Sequence, residues 1–283
     1  MTTIHEPHLM QQEAERLRLA GTRIALVPTM GALHGGHTAL IREARTRADV
    51  VIVTLFVNPA QFGQGEDFGR YPRDIGLDLR LAGEAGGDIL FAPETGAMYP
   101  GGYRTFVNVE HLSEMLEGAA RPGHFRGVAT VVTKLLNITR PHVAVFGQKD
   151  AQQVVVLRRM VEDLNLGVEI VVLPTVRETD GLAMSSRNAY LSPAQRREAP
   201  VLYRSLRKGE ALVHAGERSA RALSAAVTAE IQSGSSAAID YVSVADAGTL
   251  EPLSMLLPGT SVLVSLAARF GTTRLIDNIL ITL

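Results

Sequence analysis

One stretch of the chain, residues 23–37, reads RIALVPTMGALHGGH. Its apolar first half predicts a buried strand, and the three glycines behind it let the backbone approach a bound group without an intervening Cβ. A helix that starts there points its unpaired N–H groups and its positive dipole end at the same place. His34 and His37 lie three residues apart on that helix and can reach phosphate oxygens. The stretch therefore predicts a phosphate site, although a glycine-rich turn with two surface histidines explains it equally well.

Length and composition exclude several classes of protein. The chain has 283 residues, enough for one large or two modest domains. The net charge of −1 provides no basic surface for the backbone of a nucleic acid. The absence of cysteine excludes disulfides, thiolate zinc sites and a thiol nucleophile. No apolar run is long enough to span a membrane, and the charged N-terminal segment lacks the apolar stretch of a signal peptide. We therefore expect a cytoplasmic chain with neither a nucleic acid nor a membrane as partner.

Short apolar runs alternate with stretches of helical period over roughly the first 175 residues. Strands are predicted at 23–27, 49–57, 87–91, 142–146 and 168–173, and helices at 38–47, 74–85, 128–139 and 151–165. This alternation is typical of an α/β fold with a Rossmann-like, doubly wound parallel sheet. Residues 103–109 predict one more strand, at a sheet edge or a subunit contact.

The sheet pattern ends near Pro174, which places a domain boundary between residues 1–174 and 175–283. Helical sequence runs from a predicted capping box at Ser192 to about residue 232. Three strands follow, predicted at 239–244, 261–267 and 273–281. The second part is therefore predicted to be a small α+β domain that acts as a lid over a nucleotide crevice.

The run FGQKD at residues 146–150 lies where a predicted strand ends and the next helix begins. The carboxyl ends of the strands form the edge at which parallel sheets bind ligands. Lys149 suits the neutralisation of triphosphate charge, and Asp150 suits Mg²⁺ or a ribose hydroxyl. Gln153 follows one turn later on the same side of the helix. The run predicts a nucleotide site, and a surface Lys–Asp pair at a helix start is the alternative.

The run GLAMSSRN at residues 181–188 contains two hydroxyls and a guanidinium, those of Ser185, Ser186 and Arg187. Such donors on a short loop can clamp phosphates when the loop closes. In isolation, however, the run is more typical of an ordinary serine-rich loop.

The run FVNPAQF at residues 56–62 ends the second predicted strand. Asn58 and Gln61 carry uncharged amides, which suit the hydroxyls and the carboxylate of a small acid better than phosphate, although a polar turn explains them as well. Arg121 and His124 in the run RPGHF at 121–125 are further donors that we expect near a ligand.

Six motifs, in chain order, make the chain similar to the pantoate–β-alanine ligase family: PTMGALHGGH at 28–37, FVNPAQF at 56–62, YPR at 71–73, RPGHF at 121–125, FGQKDAQQ at 146–153 and DGLAMSSRN at 180–188. The histidine motif alone indicates only the wider nucleotidyltransferase superfamily, which includes class I aminoacyl-tRNA synthetases. The resemblance covers essentially the whole chain. It implies a Rossmann-like domain, a smaller C-terminal domain and a homodimer. It also implies an ATP-dependent ligation of pantoate to β-alanine that yields pantothenate, AMP and pyrophosphate.

The resemblance also implies roles for particular residues. The ATP-binding set is Met30, Gly31, Ala32, Leu33, His34, Gly35, Gly36, His37, Gly147, Gln148, Lys149, Asp150, Val176, Met184, Ser185, Ser186 and Arg187. The catalytic residues among them are His37, as proton donor, with His34, Lys149, Ser185 and Arg187. The set for pantoate and β-alanine is Gln61, Gln153, Asn58, Met30, His124 and Arg121. Asp78 is the one expected ligand of Mg²⁺, because the family usually has two adjacent acidic residues where this chain has Leu77 and Asp78.

The mechanism expected from these residues has two steps. A pantoate carboxylate oxygen attacks the α-phosphorus of ATP, and the histidine pair and Lys149 act on the same triphosphate as charge develops. The β-alanine amine then attacks the pantoyl-adenylate carbonyl and expels AMP. Two alternatives stay open: a nucleotidyltransferase that keeps AMP on its product, and a nucleotide-binding module without turnover.

Overall fold

The computed structural model describes all 283 residues, and the chain divides into two compact units. The first consists of Met1–Gly147 and Val156–Pro174, and the second of Gln148–Val155 and Thr175–Leu283. The chain passes from the first unit to the second for the last time between Pro174 and Thr175. The sequence did not predict that Gln148–Val155 belongs with the second unit.

A six-stranded sheet in which every neighbouring pair is parallel forms the centre of the first unit. Its strand order is β1-β4-β3-β2-β5-β6. The strands are β1 (Thr2–Ile4), β2 (Ile24–Thr29), β3 (Val50–Leu55), β4 (Ile89–Phe91), β5 (Val143–Gly147) and β6 (Glu169–Leu173). The side chains of β2, β3, β4 and β5 are mostly buried, as apolar strands covered on both faces should be.

Helices alternate with these strands along the chain. They are α1 (Pro7–Leu19), α2 (Gly35–Arg47), α3 (Ile75–Glu84), α4 (Thr95–Met98), α5 (Leu116–Ala120), α6 (His124–Thr139) and α7 (Ala151–Asp163). The predicted Rossmann-like α/β fold is confirmed, and, apart from residues 103–109, the strands and helices predicted for this unit lie within a few residues of the observed ones. None of the helices in the chain combines the length and the hydropathy that a membrane span requires.

The sheet has its topological switch point between β2 and β5. From β2 the chain continues through α2 to β3, which pairs with one edge of β2. β5 and β6 lie on the opposite side of β2. The pairing of β2 with β5 covers only Ala25 and Leu26, and Pro28, which has no N–H, lies beyond it. Ligands of open parallel sheets bind at such a point, outside the carboxyl ends of the strands.

The strand predicted at residues 103–109 is wrong, because that segment has no regular secondary structure. Side chains of α6, and not a neighbouring strand, contact residues 103–109. The N–H of Val107 donates to Oγ1 of Thr130 at 2.9 Å, and the guanidinium of Arg126 lies 3.7 Å from the ring centre of Phe106. An extended apolar sequence can therefore satisfy its backbone without joining a sheet.

The sequence analysis missed β1 and α1. The helical signal was present, since Met10, Ala14 and Leu17 follow one face of α1 and are buried. A strand of three residues such as β1, by contrast, carries too little sequence pattern to be recognised.

The second unit contains an antiparallel sheet of three strands, β7 (Ala238–Asp246), β8 (Ser261–Phe270) and β9 (Thr273–Thr282). Three helices accompany it: α8 (Pro193–Glu198), α9 (Val201–His214) and α10 (Ala220–Gly234). Apolar side chains of α9 and α10 pack with those of β8 in one core, so the predicted α+β architecture is confirmed. The predicted capping box is also present, since Ser192 and Gln195 cap α8 reciprocally.

Candidate active site

The loop between β2 and α2 is a tight turn held by a carboxylate from α3. Gly31 has φ +87° and Ala32 has φ +52°, so the chain reverses through the left-handed region. The N–H groups of Ala32 and Leu33 donate to the two oxygens of Asp78 at 3.0 and 2.7 Å. A Cβ on Gly31 would lie 2.9 Å from Oδ2 of Asp78, so only glycine fits there.

The contacts of Asp78 favour a structural role over the metal contact expected of it. Its side chain is buried, both carboxylate oxygens accept backbone N–H groups, and no group of three His, Asp or Glu side chains in the chain could hold a metal ion. Burial raises the pKa of Asp78 above its ordinary value, although the N–H groups of Leu33 and Ala32 act in the opposite direction. Asp78 shapes the loop, and its surroundings do not favour a metal ligand.

The two histidines of the loop cap α2 together. Nδ1 of His34 accepts the N–H of Gly36 at 3.1 Å, and Nδ1 of His37 accepts the N–H of His34 at 3.3 Å. Their ring centres are 4.1 Å apart. This is a capping box in which imidazoles replace the usual hydroxyl and carboxylate.

The cap also fixes the tautomer of both rings. A nitrogen that accepts a hydrogen bond carries no hydrogen, so the neutral rings of His34 and His37 hold their proton on Nε2. Each ring thus presents an Nε2–H donor at the N-terminus of a helix, where anions bind. This geometry suits contact with phosphate oxygens.

Asn58 is buried at the end of β3, and its side-chain amide is fully used. Nδ2 donates to Oε1 of Gln61 at 2.9 Å and to the carbonyl of Gly127 at 3.1 Å. Oδ1 accepts the hydroxyl of Tyr99 at 2.8 Å and the N–H of Ala60 at 3.3 Å. All four hydrogen-bonding positions have protein partners, so Asn58 positions Gln61 and leaves no group of its own for a substrate.

Gln61 ends the one-turn 3₁₀ helix Pro59–Gln61, and its amide orientation is determined. Because Oε1 accepts from Asn58, Nε2 is the atom that lies 3.2 Å from Sδ of Met30. Gln61 thus brings a neutral amide beside the loop between β2 and α2. One hydrogen of Nε2 and one lone pair of Oε1 have no protein hydrogen bond among these contacts and suit a small polar ligand.

Gly127 allows α6 to lie directly against this turn. A Cβ built on Gly127 would be 2.2 Å from the carbonyl oxygen of Ala60 and 2.6 Å from the nitrogen of Gln61. Any side chain there would push the turn away from the helix. The position of Gln61 therefore depends on a glycine in another element.

Arg121 and His124 hold the backbone of the same turn. Arg121 makes a two-bond ion pair with Glu66, at 2.6 and 2.7 Å, and its NH1 lies 3.0 Å from Nε2 of His124. Nδ1 of His124 lies 2.8 Å from the carbonyl oxygen of Gln61. A carbonyl only accepts and a guanidinium only donates, so His124 is neutral with its proton on Nδ1.

The pKa values of this group agree with that assignment. Burial, aided by the charge of Arg121, lowers the pKa of His124 to about 4. Burial is the largest single influence on the pKa of Glu66 and raises it, but the hydrogen bonds and the charge of Arg121, together with a backbone hydrogen bond from Gly63, leave the pKa lowered. The polar groups of Arg121 and His124 engage Glu66, Gln61 and each other, so their contacts favour a positioning role over the substrate contact that the sequence suggested.

In the second unit, Lys149 lies on the one-turn helix Gln148–Asp150, directly after β5. Its ammonium nitrogen is 4.0 Å from Oδ1 of Asp150, and its side chain is 22% exposed. Gln153 lies on the first turn of α7 and is half-buried. Asn278 on β9 donates to the carbonyls of Gln148 and Lys149, a contact that the sequence analysis missed.

The predicted serine and arginine donors follow a short backbone ladder. The N–H of Met184 donates to the carbonyl of Val176 at 3.0 Å, and Arg177 and Ala183 form an antiparallel bridge. Oγ of Ser185 then accepts the N–H of Arg187 at 3.2 Å and caps the 3₁₀ helix Ser186–Tyr190. Val176 and the segment 184–187, which were both expected to bind ATP, are thus brought together.

Comparison with known proteins agrees with this arrangement. The family model for pantoate-beta-alanine ligase matches residues 2–280. The chain is 54% identical to a pantothenate synthetase of Acetivibrio thermocellus, over 92% of both chains, and 54% identical to one of Geobacter sulfurreducens, over 95% of this chain and 94% of that one.

Solved structures give the same result. A pantothenate synthetase from Thermus thermophilus superposes with a TM-score of 0.92 at 46% identity, covering 99% of each chain. A pantoate-beta-alanine ligase from Francisella tularensis, complexed with beta-gamma ATP and beta-alanine, superposes with a TM-score of 0.81 at 33% identity, over 99% of this chain and 97% of that one. The chain belongs to the pantoate-beta-alanine ligase family.

Proposed function

We propose that this chain joins pantoate to β-alanine and uses ATP to activate the pantoate carboxylate. The observation that carries the proposal is the position of Gln61. Asn58 fixes its amide so that Nε2 lies 3.2 Å from Sδ of Met30, in the loop between β2 and α2. A neutral amide beside a phosphate-binding loop suits a small hydroxy acid whose carboxylate must reach the α-phosphate.

In the first step, a pantoate carboxylate oxygen forms a bond to the α-phosphorus, and the bond from that phosphorus to the leaving pyrophosphate breaks. Negative charge grows on the pyrophosphate oxygens. We assign its stabilisation to the Nε2–H groups of His34 and His37, the ammonium of Lys149, and donors of Ser185, Ser186 and Arg187. The Nε2 tautomer of both histidines supports this role.

In the second step, the β-alanine amine attacks the acyl carbonyl of pantoyl adenylate. The carbon–oxygen bond to AMP breaks, and the amine loses a proton as the amide forms. A mixed anhydride is already reactive, so orientation and exclusion of water contribute more than a strong base. We assign pantoate binding to Gln61 and Gln153.

Magnesium has no evident binding site among the protein side chains. Both oxygens of Asp78 are used by backbone N–H groups, and no cluster of three candidate ligands exists. The protein side chains therefore form no metal cage of their own, and the expected role of Asp78 as a Mg²⁺ ligand stays a prediction. The homodimer and the cytoplasmic location stay predictions.

The test is an incubation of the protein with ATP, pantoate and β-alanine, followed by mass analysis of the products. We expect pantothenate, AMP and pyrophosphate in equal amounts. A nucleotidyltransferase would instead give a product that keeps AMP, and a binding module would give no product; either result contradicts the proposal. Replacement of one charge donor typically lowers the rate by about 10²–10³. Lys149→Ala should show a loss of that order in single-turnover adenylate formation.

A further inference from the structure

Asn278 on β9 is buried and makes three hydrogen bonds to the turn that carries Lys149. Its Nδ2 donates to the carbonyl of Gln148 at 3.0 Å and to the carbonyl of Lys149 at 2.9 Å. Its Oδ1 accepts from Nε2 of Gln148 at 3.1 Å. One amide thus fixes two consecutive peptide groups and a side chain. The turn itself is a single 3₁₀ turn between β5 and α7.

Asn278 is itself held by its neighbour on the strand. Asp277 is buried and accepts two hydrogen bonds from Arg177, at 2.7 and 2.9 Å, and its Oδ1 also accepts the N–H of Asn278 at 2.8 Å. A paired guanidinium and carboxylate define both distance and plane. The backbone at Asn278 therefore cannot shift without breaking a buried ion pair.

Arg177 connects this pair to the loop of Ser185. Its NH1 donates to the carbonyl of Gly181 at 3.1 Å, and its guanidinium lies 3.6 Å from the ring centre of Tyr203. A Cβ on Gly181 would be 2.7 Å from that ring. Two adjacent residues of β9 thus hold both segments of the second unit to which we assign phosphate contacts.

We propose that Asn278 is a positioning residue for the adenylation step, which it serves by orienting the peptide groups of Gln148 and Lys149 and with them the ammonium of Lys149. The inference rests on the proposed function, because Lys149 matters here through its contact with the triphosphate. The proposal predicts an effect on one of the two steps only. Loss of Asn278 should affect the step in which pyrophosphate leaves, and not the step in which AMP leaves.

The experiment compares Asn278→Ala with the matched control Ser265→Ala. Ser265 lies directly opposite Asn278 in the pairing of β8 with β9, is buried, and its hydroxyl has no hydrogen-bond partner. Each variant is assayed for pantoate-dependent exchange of pyrophosphate into ATP, for aminolysis of synthetic pantoyl adenylate by β-alanine, and for thermal unfolding.

We expect Asn278→Ala to lower pyrophosphate exchange by about 10- to 100-fold, the range that a small displacement of a reacting group produces. Aminolysis should be unchanged, and Ser265→Ala should match the wild type in both reactions. Asn278→Asp keeps the size of the side chain but replaces the donating Nδ2 by an oxygen, which cannot donate to the carbonyls of Gln148 and Lys149. This variant should therefore lose pyrophosphate exchange as well. If the role of Asn278 were only packing, Asn278→Asp would retain exchange.

Equal exchange in Asn278→Ala and Ser265→Ala overturns the inference, as does an equal loss in both half-reactions. If Asn278→Ala does not fold, Asn278→Ser decides, because its single hydroxyl hydrogen can bond only one of the two carbonyls, and it should lower exchange alone. A wild-type protein without any exchange refutes the proposed function instead, so the two failures are distinguishable.

Discussion

The side-chain amide of Asn58 donates a 2.9 Å hydrogen bond to Oε1 of Gln61, and this one contact determines which face of the Gln61 amide a ligand meets. If Asn58 were absent, Gln61 could rotate and present either atom. The two residues therefore have different tasks, although both were predicted to bind the substrate. We expect Asn58 to set the orientation and Gln61 to make the contact.

Replacement of these two residues should separate the two tasks. Gln61→Ala should weaken pantoate binding and leave ATP binding near normal, with little change in stability. Asn58→Ala should weaken pantoate binding too, but also lower the free energy of unfolding by about 2–4 kcal/mol, because several buried groups lose their partner. Calorimetry with each substrate and denaturant unfolding measure these effects. An Asn58→Ala protein as stable as wild type would assign Asn58 to direct substrate contact.

Gly127→Ala should move the turn that carries Gln61. The added Cβ would lie 2.2 Å from the carbonyl oxygen of Ala60, so the turn must shift to make room. We expect the KM for pantoate to rise by about tenfold or more, since small displacements of binding groups have effects of that size. Gly96→Ala in α4 is the control, because nothing lies within 4 Å of a Cβ there. Equal kinetics of the two variants would mean that the turn is not held by α6.

Replacement of His34 can separate capping from chemistry. Asparagine is a good N-cap residue, so His34→Asn should preserve the start of α2, whereas His34→Ala loses the cap at about 1 kcal/mol. Both remove the Nε2–H donor, and both should slow adenylate formation by about 10²–10³. Rapid-quench measurement of pyrophosphate, beside denaturant unfolding, tests this. An active His34→Asn protein would leave His34 with the capping role alone.

Asp78→Asn and Asp78→Ala test whether Asp78 shapes the loop or binds metal. The carboxylate accepts the N–H groups of Ala32 and Leu33, while an amide offers one acceptor oxygen and alanine offers none. An unpaired buried group destabilises by about 1–3 kcal/mol, so stability should fall from wild type to Asn to Ala, and ATP affinity with it. A metal ligand would instead give a raised Mg²⁺ requirement at unchanged stability. Activity against Mg²⁺ concentration distinguishes the two.

Stability should fall in mild acid because of His124. Its pKa of about 4 in the folded protein is below the ordinary 6.5, so the unfolded chain takes up a proton first as the pH falls. The stabilisation is complete above about pH 6.5 and is lost toward pH 4, with about 2 kcal/mol gone at pH 5. His124→Asn should lose less stability between about pH 7.5 and 5 than the wild type. His8→Asn, at an exposed position of α1, should follow the wild-type curve.

Much of this molecule follows from patterns that are local in sequence. Runs of buried apolar residues predicted β2 and β3, because a strand covered on both faces needs little besides apolar side chains. The capping box of α8 was predicted because its two residues are three positions apart. The histidine pair, Gln61 and Lys149 were selected as candidates from short motifs, since each motif contains its own turn and helix start.

What the tertiary structure decided is the task of each polar side chain, because its partners come from distant parts of the chain. Asp78 meets a loop 45 residues away, and Asn278 meets a turn 130 residues away. A polar group is buried only where it finds such a partner, and no local pattern specifies which one. The amino-acid sequence thus determined the layers of the fold and the residue types at its strand ends, whereas packing determined which polar groups are held by protein partners and which are left for a ligand.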